Sequence, residues 1–117
     1  MELSQLSDRA LQIHAAFAAH AQRTGTRPWT REEVMQGFVG DVGDLMKLVM
    51  AQAGARPIPD ADRKLAHELS DCLWSVLVLA KLYDVELERE YRLTMDELER
   101  ELQTPDRHRL DSSLRSE

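Results

Sequence analysis

Apolar residues return every three or four positions along most of the chain, the spacing of one helical face, and strand-like alternation is hard to find. Four helical segments follow from this pattern. The first covers about 6–22, where Leu11, His14, Ala15, Phe17 and Ala18 recur at helical spacing. It stops at Thr24-Gly25-Thr26, because glycine takes the left-handed conformation that ends a helix. Arg27-Pro28-Trp29 reads as an extended linker. A second helix starts at a capping box, Thr30 with Glu33 three residues on, and runs to about residue 53 with Gly54 as its stop. Residues 55–61 form a proline-containing connection. The third helix starts at Asp60 or Asp62 and reaches Leu82 or Tyr83. The fourth covers 85–102 from a cap at Asp84, with Leu87, Tyr91, Met95, Leu98 and Leu102 on one face and Thr104-Pro105 at its end.

Two features of this pattern are unusual. Gly37, Gly40 and Gly43 recur every third residue inside the second helix, each costing about 1 kcal/mol relative to alanine. Either another helix packs very close along that stripe, or a ligand needs access to the backbone there. The second half of the third helix, 72–83, is apolar nearly all round, and such a helix must be buried on most sides. One small bundle offers little cover for it. A homo-oligomer with the third helix near the interface is therefore expected.

Composition agrees with an all-α domain. The chain has 117 residues, 43% hydrophobic and 31% charged, with Leu, Ala, Glu, Asp and Arg abundant and only five glycines. One helical domain over 1–105 and a polar, flexible tail over 106–117 are expected. A formal net charge of −6 argues against a general nucleic-acid surface, which needs clustered positive charge. The single cysteine, Cys72, excludes an intrachain disulfide and reads as a small buried hydrophobe. No basic segment followed by an apolar stretch opens the chain, and the run 72–83 is too short to span a bilayer, so no membrane partner and a cytoplasmic location are expected.

Candidate chemistry lies in two short acidic pairs. Asp41-Val42-Gly43-Asp44 sits in the second helix and Glu68-Leu69-Ser70-Asp71 in the third. Positions i and i+3 share a helical face, and a short connection makes the two helices antiparallel neighbours. The pairs can therefore face one another as four carboxylates in one volume, a set that needs a counter-charge. Oxygen-only ligands favour hard cations, Mg²⁺ or Mn²⁺, which also share substrate phosphates. The plain alternative is a solvated acidic helix face. Asp41 and Asp44, however, stand among Phe38, Val39, Val42, Leu45 and Leu48, and Glu68 and Asp71 precede the most apolar run. Carboxylates at the edge of a core need a partner.

The stretches 37–45, Gly-Phe-Val-Gly-Asp-Val-Gly-Asp-Leu, and 67–73, His-Glu-Leu-Ser-Asp-Cys-Leu, resemble the MazG-type all-α nucleoside triphosphate pyrophosphohydrolases, whose hallmark is an ExxE pair followed by an ExxD pair on the next helix. The dCTP-pyrophosphatase branch is the most similar, and the resemblance extends from the His14-Ala-Ala-Phe17 stretch through Thr94-Met95-Asp96. It implies an oligomeric four-helix bundle, a homodimer or homotetramer. It also implies Mg²⁺-dependent cleavage between the α- and β-phosphates of a nucleoside triphosphate, releasing a nucleoside monophosphate and pyrophosphate in a house-cleaning role. By that resemblance Asp41, Asp44, Glu68 and Asp71 hold the metal, and Glu68 and Asp71 are the catalytic pair, one carboxylate orienting the attacking water. His14, Phe17 and Trp29 would lie near the nucleobase. The related phosphoribosyl-ATP pyrophosphohydrolases use similar acidic pairs.

Three departures from the family bear on turnover more than on fold. The first pair is aspartate where the family has glutamate, which shortens each arm by about 1.5 Å. Thr94 stands where a lysine is common, and Leu98 where an asparagine is expected. Lys47, three residues after Asp44, and Lys64, four before Glu68, can replace the missing phosphate contacts or can pair internally with their neighbouring acids. Ser75, one turn beyond Asp71, can contact substrate or bond back to its own helix. His67 reads as a surface neighbour of the site, and Trp74 as core or interface. A catalytically silent helical oligomer that binds nucleotide or a protein partner is the alternative.

Overall fold

The computed structural model describes residues 2–104. Among them the regular elements are all helical: α1 (Leu3–Arg23), α2 (Arg31–Gln52), α3 (Ala61–Leu82) and α4 (Leu87–Leu102). The chain divides into two compact units, Met1–Val85 with the first three helices and Glu86–Glu117 with α4. The expected tail over 106–117 lies outside the described residues. No helix among the described residues is long and apolar enough to cross a membrane.

Within the first unit α3 is central, packed against both α1 and α2. Ala10, Val34, Leu48, Leu77 and Val78 form the buried core, with Val78 at 0% exposure. Burying one such valine is worth roughly 1.5–3 kcal/mol. The Trp74 indole N–H donates to the Ala10 carbonyl at 3.2 Å, and Lys81 meets Asp8 at 3.0 Å, tying α3 to α1. At one end of the α2–α3 pair Arg31 donates to the Leu82 carbonyl and its guanidinium lies 4.7 Å above the Tyr83 ring. At the other end the Gln52 amide donates to Asp62. These contacts place the start of α2 beside the end of α3, so the two run antiparallel.

Helix ends explain most boundaries. α1 begins earlier than periodicity indicates because the Gln5 side chain accepts from the Glu2 backbone N–H at 2.8 Å. The capping box before α2 is formed, with Glu33 N–H donating to Thr30 Oγ1 at 3.2 Å and Thr30 N–H donating to Glu33 Oε1 at 2.9 Å. Gly25 and Gly54 close α1 and α2 with positive φ, each followed by an N–H that reaches back to the last turn. Asp84 does the same for α3 at φ 55°, with the Val85 N–H donating to the Ala80 carbonyl at 2.8 Å. The expectation that Asp84 caps the fourth helix is thus corrected: it terminates the third, and Glu86 occupies the N-cap position of α4. α4, taken by itself, carries its apolar stripe and an exposed Glu88–Arg92 ion pair at 3.4 Å.

α2 has two apolar faces. Val34, Phe38, Asp41, Leu45 and Leu48 are buried or half-buried and recur at alternating steps of four and three. One residue on from each of the first two, Met35 and Val39 open a second stripe, continued by Val42, Met46 and Val49, all between 45% and 62% exposed. Residues 61, 65, 68, 72, 75, 79 and 82 of α3 follow the same alternation and are all buried or half-buried. Asp41 and Glu68 thus occupy positions in the inward seams where apolar residues stand before and after them.

The linker between α1 and α2 is held by Arg27, whose guanidinium meets Glu33 twice, at 2.6 and 2.8 Å. That pair, with the Thr30 N–H, draws the Glu33 carboxyl down to about 2. A carboxylate whose folded pKa is depressed stabilises the fold above its unfolded value and loses that contribution as pH falls through the folded one. Wild type is therefore expected to lose stability between about pH 4.5 and 2 in urea unfolding, and Glu33→Gln to lose less over that window while being less stable at neutral pH. Parallel acid profiles for the two proteins would contradict this.

Candidate metal centre

The antiparallel seam sets the two acidic pairs against each other. Carboxylate oxygens of Asp41, Asp44 and Glu68 lie within 4.8 Å of one another. Asp71 stands outside this close group, with Oδ2 3.2 Å from Nε2 of the exposed His67. Three of the four expected ligands are therefore brought together, and the fourth flanks them.

Glu68 Oε2 is buried and accepts no hydrogen bond. An unpartnered carboxylate oxygen inside a protein is destabilising unless something neutralises it. Burial, followed by the charges of Asp71, Asp41 and Asp44, pushes the Glu68 carboxyl above its ordinary range. Asp41 is raised in the same way by burial and then by Asp71 and Asp44, with His67 opposing the shift. Both groups hold a proton more tightly than free carboxyls do, and a divalent cation would satisfy the same demand. The donor set, all oxygen with one orphan among them, fits a hard cation. Burial and the neighbouring acids also raise the Cys72 thiol, which keeps it protonated at neutral pH.

Two cavities adjoin the acids, and they share no lining residue. The larger, about 760 Å³, is bounded by α1, the linker and the facing sides of α2 and α3, and includes His14, Phe17, Trp29, Trp74, Ser75, Asp41 and Asp71. Its size suits a small organic ligand. Phe17 meets the Trp74 ring edge-on at 6.1 Å between centroids, and His14 lies 6.4 Å from it. The smaller, about 390 Å³, lies toward the α2–α3 connection and is lined by Lys47, Arg63, Lys64, His67, Asp44 and Glu68 among others. Each helix contributes one acid to each cavity. The acid cluster is thus the wall between an aromatic space and a cationic one.

The substrate residues read from the sequence divide accordingly. His14, Phe17, Trp29 and Ser75 line the larger cavity, and Lys47 and Lys64 the smaller. Lys47 pairs with Asp44 only at 4.0 Å. The expected internal pair of Lys64 with Glu68 does not form: among the described residues Lys64 has no carboxylate in ion-pair range. Trp74, expected in core or interface, is a cavity wall as well as a tie to α1. It follows Asp71 by three residues, and that spacing could have placed it there. Arg63 precedes His67 by four and was equally recoverable.

The structure distinguishes the three glycines of the stripe. A Cβ at position 37 would stand 2.6 Å from the Trp29 ring, while Cβ atoms at positions 40 and 43 would meet nothing within 4 Å. Among the described residues, nothing lies against the Cβ positions of the second and third glycines. Gly37 instead seats the indole of the preceding linker, a close approach that only a residue without a side chain permits. The chain was also compared with known proteins: no family model, no curated protein and no solved structure matches it.

Gly37→Ala is expected to lift the Trp29 indole from its seat. Acrylamide quenching of the Trp29 emission, isolated in a Trp74→Phe background, should increase relative to the same background with Gly37. Unchanged quenching would show that the ring does not depend on the glycine.

Proposed function

We propose that the chain is a MazG-type helical hydrolase that cleaves a nucleoside triphosphate to the monophosphate and pyrophosphate with Mg²⁺, or Mn²⁺, held by Asp41, Asp44 and Glu68. The observation that carries this reading is the buried, unpartnered Glu68 oxygen in an acid cluster lying between an aromatic and a cationic cavity. A metal held there would supply positive charge to polarise the attacked phosphoryl group and to lower the pKa of the attacking water. His14, Phe17, Trp29 and Trp74 offer ring faces and edges to a nucleobase. Asp71 lies beside the triad on the aromatic side and is the carboxylate left to accept a proton from the attacking water, with His67 at 3.2 Å to hold its orientation. Water adds at the α-phosphorus and the bond to the β-phosphate oxygen breaks, so that pyrophosphate leaves.

A second reading, a catalytically silent nucleotide binder, is supported by the shorter Asp41 and Asp44 arms and by Thr94 and Leu98 in place of the family's polar residues. A panel of nucleoside triphosphates and phosphoribosyl-ATP, incubated with Mg²⁺ or Mn²⁺, separates these possibilities by pyrophosphate release. Glu68→Gln is expected to lower turnover by on the order of 10²-fold or more, the scale of removing one preorganised electrostatic contact. Folded wild type that releases pyrophosphate from no substrate would overturn the hydrolase.

The same reading makes the protein a homodimer or homotetramer. Its support is the exposed second stripe of α2, Met35, Val39, Val42, Met46 and Val49, whose mean spacing of three and a half residues is that of helix–helix seams, beside exposed Leu69 and Leu73 on α3. Light scattering after gel filtration is expected to show a multimer for wild type and a monomer for Val42→Glu/Met46→Glu. A monomeric wild type would refute the assembly.

A further inference from the structure

One step along each helix leads from the acids to a bare side of the first unit. Val42 follows Asp41, Leu69 follows Glu68, and Leu73 follows Cys72 of the same seam. A step of one residue turns about 100° around a helix. In an antiparallel pair meeting along its seams, equal turns bring both helices to the same side. The α2 stripe from Met35 to Val49 and Leu69 with Leu73 of α3 therefore form one apolar face across the two helices. The cavity that α1 helps to enclose opens on the other side of the seam, at Gly37, Asp71 and Trp74. The seven side chains of the face are 45–62% exposed. Covering them on two copies would remove on the order of 1,000 Å² from water, about the floor for a specific interface. An apolar face matches the same face on a second copy and offers a charged partner nothing to pair with.

The two halves of this face ride on different helices, so the spacing of α2 and α3 decides whether they act as one surface. At the turns that carry Val42, Met46 and Leu69, that spacing is set by the acids. Asp41 and Asp44 from α2 and Glu68 from α3 bring carboxylate oxygens within 4.8 Å of one another, and like charges that close push the helices apart. The buried Glu68 oxygen has no partner in the seam. A cation shared by acids of both helices would replace the repulsion with a bridge and hold the halves of the face together. We propose that divalent-cation binding at the acids and assembly through this face are linked: the bridged helices present the surface that a second copy takes, and the second copy holds the acids at the spacing that takes the cation. The linkage rests on the metal-dependent, oligomeric reading above and adds that the cation sets the assembly state.

Sedimentation equilibrium of the full chain, in Mg²⁺ and in EDTA at matched ionic strength, tests the linkage. With each site coupled about fivefold, the lower end for linked sites, a two-site dimer associates about 25-fold more tightly in Mg²⁺. Glu68→Gln associates equally in the two media. Reciprocity requires that Val42→Gln/Met46→Gln, which weakens the face without adding charge beside the acids, bind Mg²⁺ about fivefold more weakly than wild type in calorimetric titration. Circular dichroism reports that this variant is folded, and the calorimetric comparison decides where wild type associates too tightly to dilute apart. Equal association of wild type in Mg²⁺ and EDTA, a wild type that is monomeric in both, or a Glu68→Gln that responds to Mg²⁺ as wild type does would each overturn the linkage. Equal Mg²⁺ affinity in wild type and the folded, monomeric variant would overturn it as well. Its failure is separable from that of the hydrolase. Pyrophosphate release from a nucleotide, with equal association in both media, keeps the hydrolase and removes the linkage, whereas Mg²⁺-dependent association without any cleavage does the reverse.

Discussion

Asp41 and Glu68 each interrupt an apolar helical seam, and the two seams are the ones that hold α2 against α3. A valine in such a position, as at Val34 or Val78, adds to stability; a carboxylate there subtracts from it unless it is neutralised. The fold tolerates the two acids because apolar packing continues on either side of them. Leu48 lies toward one end of the pair, and Val34, Leu77 and Val78 toward the other. The raised carboxyls and the orphaned Glu68 oxygen are the local expression of that compromise. A protein that needed only to be stable would place leucine at both positions.

The same seam organises the space around it. Because the helices run antiparallel, residues on the α1 side of the acids surround one cavity and residues on the connection side surround the other. The aromatic side is completed by α1 and the linker, held through the Trp74 bond to Ala10 and the Arg27–Glu33 pair. The cationic side is completed by α3's own first turn. One row of acids thereby has apolar rings on one flank and cations on the other, without any residue serving both.

Helix existence was legible because it depends on periodicity and on short-range bonds that the residues themselves announce, as Thr30 with Glu33 or Gly25 and Gly54 do. The acidic pairs were legible for the same reason, since i and i+3 share a face in any helix. What escaped was whatever depends on a residue's partner. Asp84 has the composition of a helix start, yet the left-handed turn after Tyr83 gave it to the preceding helix. Gly37 looked like one of three equivalent glycines, but only it lies beneath Trp29. Spacing put Lys64 next to Glu68 and Asp71 with the other acids; side-chain direction left Lys64 open to the cavity and turned Asp71 to His67.

The linker between α1 and α2 has one more consequence. Pro28 restricts the backbone, the Arg27–Glu33–Thr30 bonds close around it, and Gly37 receives the ring of Trp29. Its conformational entropy is surrendered when the chain folds, not when a ligand arrives. A molecule entering the aromatic cavity then meets a wall already in place, and its affinity carries no penalty for ordering that segment. Conditions that loosen the clamp would return the penalty to the binding step, so recognition at the cavity and the integrity of a surface ion pair become linked quantities.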